Sequence, residues 1–337
     1  MKDNIQDQYR EIAQALKEAT NILIIQPDIP DGDSLGSSIA LEQICYLMNK
    51  NTTMICGTTM ATYLSYIDGW DRVGRYENTS FDLSIIVDTS SKSLLANLFK
   101  QVTLSTLAKH PIIIIDHHQT EATIDFASIL LNNPSAVSTT EVIYELATSS
   151  GWRNTLSGQT AITAGILSDS LGLTTPNTTA RSIHILGELV ESGVLLTKLE
   201  EARRDNMRKS PEIVHYKGDL LTRIEYFNES QIAILVIPWE EIERYSPSYN
   251  PAILALEDMR LTTNTIVAIV LKQYLDGRIT AKIRSNYGSP IAAKLAEFFG
   301  GGGHEYASGF KLTDGKDISE LKSEIIKKAT ELINATI

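Results

Sequence analysis

Apolar residues recur along this chain in two rhythms. Short unbroken runs are NILIIQ at 21–26, MIC within TTMICG, SIIV ahead of Asp88 and IIIID ending at Asp116. Runs of this length, rich in branched side chains, predict strands buried on both faces of a parallel sheet. Between and after them the apolar positions fall at helical spacing, as in DSLGSSIALEQICYLMNK, STTEVIYELATSSGW, SGQTAITAGILSDSLG and TTARSIHILGELVESG. Strands alternating with helices predict an α/β fold, a mostly parallel sheet covered by helices, over residues 1–190. Residues 191–220 remain helical but become charged (TKLEEARRDNMRK) and read as a connector. From 221 to 337 the rhythm changes. RIEYFN, QIAILVIP, NTIVAIVLKQY and RITAKIRSN read as strands, with helices PAILALEDMR, PIAAKLAEFFG and ISELKSEIIKKATELI between or after them. This predicts a second, smaller α/β domain.

The length, 337 residues, agrees with two domains rather than one core. The net charge of -11 argues against long duplex nucleic acid, whose binding rests on many Lys and Arg contacts to phosphate. A small anion in a local pocket is compatible with it. The two cysteines, Cys45 and Cys56, sit in apolar contexts without CxxC spacing, which excludes a cysteine-rich zinc site and reads as two buried thiols. The N-terminal stretch is polar and amphipathic, unlike a signal peptide, and no apolar run approaches the ~20 residues of a membrane span. We therefore expect a soluble cytoplasmic protein with no membrane partner. Oligomeric state is left open, a homodimer being one arrangement.

Charge becomes informative at the strand ends. Asp31 and Asp33 follow the first run, Asp88 ends the third, and Asp116, His117 and His118 end the fourth; Asp169 lies in AGILSDSLGL. Taken singly, each has an ordinary explanation: a turn for Asp31 or Asp33, a helix cap for Asp88, a satisfied polar side chain for either histidine. Together they are different, because the carboxyl ends of parallel strands share one edge, where ligands bind. Carboxylate oxygens with imidazole nitrogens and no thiolate suit Mn²⁺, with Mg²⁺ the second choice.

These residues carry a resemblance. PDGDSLGSS, VDTSS, IIDHHQT and GILSDSLG resemble the four successive motifs of the DHH phosphoesterases, and KIRSN with GGGGHEYASGF resembles the DHH-associated C-terminal domain. The standalone oligoribonuclease and 3′-phosphoadenosine 5′-phosphate (pAp) phosphatase type is the best match. The resemblance implies that Asp31 binds a first metal ion, that Asp33, His117 and Asp169 bind a second, and that Asp88 bridges both. It also implies that His118 faces the substrate phosphate and that Asp116 orients the histidines. A water between two ions, acidified to hydroxide, would attack phosphorus. One departure stands out. The family's first motif usually carries His three residues before its Pro-Asp pair, and here that position is Pro27. Asp28 is expected to supply the missing oxygen ligand; weak binding by Gln26, or a nearly empty first site, are the other readings.

In the second domain the glycines Gly301, Gly302 and Gly303 let backbone approach a ligand, and their spacing matches neither a Walker loop nor a dinucleotide fingerprint. With the resemblance, His304, Arg284, Ser285 and Asn286 become substrate contacts, and Tyr287 or Tyr306 a stacking surface for a base. The expected activity is metal-dependent hydrolysis of very short RNA or dinucleotides to mononucleotides, and of pAp to AMP. Two alternatives are a cyclic or linear dinucleotide phosphodiesterase, and a nucleotide-binding protein of low activity because of Pro27.

Overall fold

The computed structural model describes residues 2–119, 122–246 and 249–335. The chain divides into two compact units, Met1–Arg208 and Lys209–Ile337. The boundary falls inside the charged helical stretch.

The first unit contains β1 (Asn21–Gln26), β2 (Asn51–Cys56), β3 (Leu83–Val87), β4 (Ile112–Asp116) and β5 (Ile129–Asn132). Among the described residues they form one parallel sheet in the order β2-β1-β3-β4-β5. That order is doubly wound with its reversal between β1 and β3, the place where such sheets open a crevice at the strands' carboxyl ends. The helices are α1 (Lys2–Glu18), α2 (Gly32–Leu47), α3 (Leu104–Leu107), α4 (Thr139–Ser149), α5 (Leu156–Asp169), α6 (Ala180–Glu191) and α7 (Leu196–Asn206). One face of the sheet, through Ile24, Ile85 and Ile113, packs on α1, α2, α4, α5 and α6. The other, through Ile25, Ile86 and Ile114, is closed by Leu95, Leu98 and Val102 from short turns and by Leu107 of α3. Both faces are thus dry, which is why the strands are apolar without alternation. Truncating one of these isoleucines to Ala would cost about 2–5 kcal/mol.

Two glycines decide how α5 meets α2. A Cβ on Gly36 would lie 2.5 Å from the carbonyl of Ala161, and one on Gly165 would lie 2.5 Å from Thr140 and 2.9 Å from Asp33. Without side chains at these positions α5 runs close beside α2 and delivers Asp169, its last residue, to the rim that holds Asp33.

The second unit contains α8 (Pro211–Thr222), α9 (Trp239–Tyr245), α10 (Pro251–Leu261), α11 (Ala292–Phe298) and α12 (Ile318–Asn334). Its strands are β6 (Glu225–Phe227), β7 (Ile232–Ile237), β8 (Val267–Gln273), β9 (Ile279–Ser285), β10 (Gly302–His304) and β11 (Ala307–Leu312), in the order β10-β11-β9-β8-β7-β6. The β7–β8 pair is parallel and the other pairs are antiparallel. One face packs on α11 and α12, through Ile269, Ile283 and Leu321. On the other, α8, α9 and α10 cover the β7–β8 half, through Leu220, Leu235 and Val270. The helical stretch expected as one connector is therefore divided. Leu199 of α7 is buried in the first unit's core, while Ile213 and Tyr216 of α8 are buried in the second's. No helix among the described residues is long and apolar enough to cross a membrane.

Candidate metal centre

The centre forms at the carboxyl edge of β1, β3 and β4. Asp33 lies in the first turn of α2, fully buried, and α4 meets it end-on. The Thr139 and Thr140 amides donate to its two oxygens at 2.6 and 2.9 Å, and the Thr140 hydroxyl donates at 2.8 Å. A helix N-terminus favours the carboxylate there. Asp88, directly after β3, is held in the left-handed region at φ 59, tolerable for Asp and strained for a branched residue. Its amide donates to Ile115 and its Oδ1 accepts from the Thr139 hydroxyl at 3.0 Å. Asp169 completes the set from α5.

His117 faces all three carboxylates. Its Nε2 lies 3.2 Å from Asp169, 3.7 Å from Asp88 and 3.8 Å from Asp33. That nitrogen is buried and makes no well-aligned hydrogen bond, while Nδ1 lies 3.4 Å from the Ala136 carbonyl. A proton on Nδ1, donated to that carbonyl, leaves the Nε2 lone pair aimed at the acids. Asp116, at the end of β4, accepts on one oxygen from the His117 and His118 amides at 2.8 and 3.2 Å and bonds His118 Nδ1 at 2.7 Å. It fixes the turn and the outer, exposed ring without joining the inner group.

The electrostatics are those of a crowded acidic pocket. Burial first, then the neighbouring Asp169, raises the Asp33 carboxyl to about 6. Burial and then Asp33 push Asp88 well above the usual range. Burial opposes charge on His117, but Asp169 and Asp33 outweigh it and lift the ring to about 9. Asp116 is the exception: burial would raise it, and its bond to His118 more than offsets this, so it is lowered. Without a cation, burial and mutual repulsion disfavour the charged forms of Asp33 and Asp88.

Two groups have the geometry of a divalent site: Asp33 with His117 and Asp169, and Asp88 with His117 and His118. In each, the donor atoms lie within 4.8 Å of one another. A buried imidazole lone pair facing three carboxylates at 3.2–3.8 Å is the donor set a hard or borderline cation takes, so the residues present fit the metal that the sequence implies.

The first-ion positions are arranged differently. Asp31 caps α2, its Oδ1 accepting from the Asp33 and Ser34 amides at 3.0 Å, with Oδ2 left over. Asp28 is not in either group. Its two oxygens accept from the amides of Asn97 and Leu98, so its carboxylate, expected to face a metal ion, anchors a turn on the far side of the sheet. Gln26, fully buried at the end of β1, has a side-chain amide with no hydrogen-bond partner among the described residues. Sequence reasoning also passed over Thr139 and Thr140. Their place at a helix start was visible in STTE, but not that the helix points at Asp33.

In the second unit, Arg284 is half-buried on β9, and among the described residues its guanidinium hydrogen-bonds only the neighbouring Ile283 carbonyl. His304, on β10, is exposed. Ser285 and Asn286 are engaged within the unit: the serine donates to the Glu305 carbonyl, and the Asn286 amide donates to Arg260 and Thr265 carbonyls while accepting from Arg260. The Gly301 amide donates to Ala296 and so closes α11 rather than remaining open to a ligand. Gly303 sits at φ +141, and a Cβ there would lie 2.6 Å from Ser308, so the hairpin requires glycine. Exposed Tyr287 stacks on Tyr306 with ring centroids 6.1 Å apart.

The doubly wound sheet carries at its edge the aspartates and the His117–His118 pair on which the resemblance to the DHH phosphoesterases rests. Residues 21–168 match the model of the DHH family, N-terminal domain. Over 324 residues it is 24% identical to the bifunctional oligoribonuclease and PAP phosphatase NrnA of Bacillus subtilis, spanning 94% of this chain and 96% of that protein. It is 22% identical to the NrnA of Thermus thermophilus, over 96% and 94%. Among solved structures, an exopolyphosphatase-related protein from Bacteroides fragilis superposes with a TM-score of 0.81 over 98% of both chains at 21% identity, which establishes the likeness in fold.

Proposed function

We propose that this protein is a manganese-dependent phosphoesterase that cleaves very short RNA and dinucleotides to mononucleotides and converts pAp to AMP, acting in the cytoplasm. The observation that carries the reading is the buried His117 Nε2 among Asp33, Asp88 and Asp169, a donor set that a divalent cation would complete. Full-length similarity to proteins named for both activities supports the substrate class.

Asp33, His117 and Asp169 would hold one divalent ion, with Asp88 and the free oxygen of Asp31 toward a second. When bound, such ions acidify a water and neutralise charge on a phosphoryl oxygen. The protein's own contribution is positioning. The α4 amides fix Asp33, the Thr139 hydroxyl fixes Asp88, and Asp116 holds His118 at the open side of the centre, where its outer nitrogen can meet a phosphate oxygen or protonate the leaving alcohol. Arg284 and His304 would contact the nucleotide.

The test is hydrolysis of pApA and pAp with Mn²⁺, and with cyclic di-AMP for comparison. Release of AMP from both linear substrates, lost in Asp88→Asn and kept in Cys45→Ala, is the expected result. Tight nucleotide binding without turnover under Mn²⁺ or Mg²⁺ would make the chain a binding protein instead, and faster cleavage of the cyclic compound would reassign the substrate.

A further inference from the structure

The sheet of the second unit has an open half-face whose chemistry the proposed contacts do not exhaust. Alternate residues of β9 point away from the core on α11 and α12, and these are Thr280, Lys282 and Arg284. The register sets them in rows across the sheet. Arg284 lies between Ala268 of β8 and Ala307 of β11, and Ala307 is paired in turn with His304. One row further, Lys282 lies between Val270 and Gly309, with Gly302 beyond. In the next row Lys272 and Lys311 flank Thr280. The β9–β11 side therefore has a floor of Ala307 and Gly309, side chains too small to shield the cations beside them.

Those cations lack counter-ions. Among the described residues the half-buried Lys282 ammonium makes no hydrogen bond or ion pair, and the Arg284 guanidinium bonds only a neighbouring carbonyl. The half-buried Lys272 ammonium reaches a neutral amide oxygen, Asn250 Oδ1, at 2.7 Å. A fourth cation, Arg260, pairs with Glu257 at 3.1 Å, and that carboxylate also acts on Arg284. Burial, and then repulsion along the series, lowers the proton affinity of each member: Lys282 acts on Lys272, Arg284 on Lys282, and Arg260 on Arg284. The net charge of the chain is -11, so such a cluster runs against its overall balance. Desolvated, mutually repelling cations are costly unless an anion comes to them.

We propose that Lys282 and Lys272 continue the phosphate contact of Arg284 into a track that grips the second and later phosphates of a short single-stranded oligonucleotide, so that affinity rises with length beyond the dinucleotide. Alternate residues on a strand stand about 6.6 Å apart, a step that suits successive phosphates on a backbone. This rests on the reading that the second unit binds nucleotides, and the experiment separates the two. Binding of 3′-fluorescein-labelled di- and tri-adenylate to the full chain in EDTA is measured by anisotropy across a salt series. Wild type is expected to prefer the trinucleotide. Lys282→Met should weaken the trinucleotide about 10-fold and the dinucleotide less than about 3-fold, with the salt slope falling by about 0.7, the value for one phosphate contact on a single strand. Lys272→Met should act in the same direction and Lys282→Arg should restore binding; if the Met variant fails to fold, Lys282→Gln reads the same loss of charge. Equal weakening of both lengths, or none, overturns the track while leaving nucleotide binding intact. Tripolyphosphate displacing the probe more tightly than unlabelled dinucleotide would overturn it in favour of an inorganic polyanion. A wild type that binds neither probe would overturn both readings.

Discussion

The two halves of this molecule bury charge of opposite sign, and each leaves it uncompensated. In the first unit Asp33 and Asp88 are desolvated beside Asp169, with one imidazole among them. In the second, Lys272, Lys282 and Arg284 are half-buried along one sheet face, and none makes an ion pair among the described residues. Structural charges deep in a protein are normally paired, because an unpaired one costs several kcal/mol. The contrast teaches that neither set is there for the fold. On the proposed function, one half would take cations and the other an anion, the two things that metal-assisted cleavage of a phosphodiester requires.

The largest effect should come from the acidic half. Asp88→Asn is expected to lower turnover of pApA by roughly 10³-fold, the scale on which a charged group at a reacting phosphate counts. In EDTA the same variant should melt at a higher temperature than wild type, since one repelling carboxylate has gone. A variant that keeps its rate, or melts lower in EDTA, would break the contrast at its strongest point. In the basic half, Arg284→Ala should raise KM for pApA by about 10- to 100-fold with kcat changed only a few-fold, as expected for a hydrogen bond to a charged group lost in ground and transition state alike. A fall in kcat at constant KM would move Arg284 into the chemistry.

Acid titration sharpens the comparison further. Asp33 has its carboxyl raised to about 6 in the folded protein, so between the ordinary carboxylate range and pH 6 the folded state binds more protons than the unfolded one. Its contribution to stability is therefore greatest at low pH and is lost as pH rises through 6. His117, raised to about 9, contributes stability below its ordinary value near 6.5 that is lost as pH rises toward 9. In EDTA the melting temperature relative to Asp33→Asn should accordingly decline from pH 4 to 6, and saturating Mn²⁺ should abolish that slope. An unchanged slope with Mn²⁺ would mean that the ion is held elsewhere. The smallest effect belongs to Asp28. Its carboxylate takes two amides of a turn, so Asp28→Ala should cost about 1–2 kcal/mol in thermal stability and leave the Mn²⁺ content, measured by elemental analysis, unchanged. Loss of one ion from that variant would return Asp28 to the centre.

Much of this was legible in the order of residues. Unbroken apolar runs at 21–26, 83–87 and 112–116 announced strands dry on both faces, and acids at their ends announced a shared rim. The fifth strand was not legible, because Ile129–Asn132 is four residues long and largely half-buried, with no pattern to set it apart from a loop. Nor was the roof of turns over the second face, whose buried leucines are scattered through 92–107 without period.

The sequence by itself determined which chemistry is available: oxygen and imidazole ligands without thiolate, a glycine hairpin beside an arginine, and a net charge of -11. It determined this because residue type fixes charge, softness and backbone freedom wherever the residue ends up. Tertiary structure decided which of these groups meet. Asp28 and Asp31 are near neighbours of Asp33 in the chain, yet one anchors a turn across the sheet and one caps a helix, while Asp169 arrives from more than a hundred residues away because Gly36 and Gly165 let two helices touch. Distance through space sets a carboxylate's field and its hydrogen bonds, and only the folded packing supplies that distance.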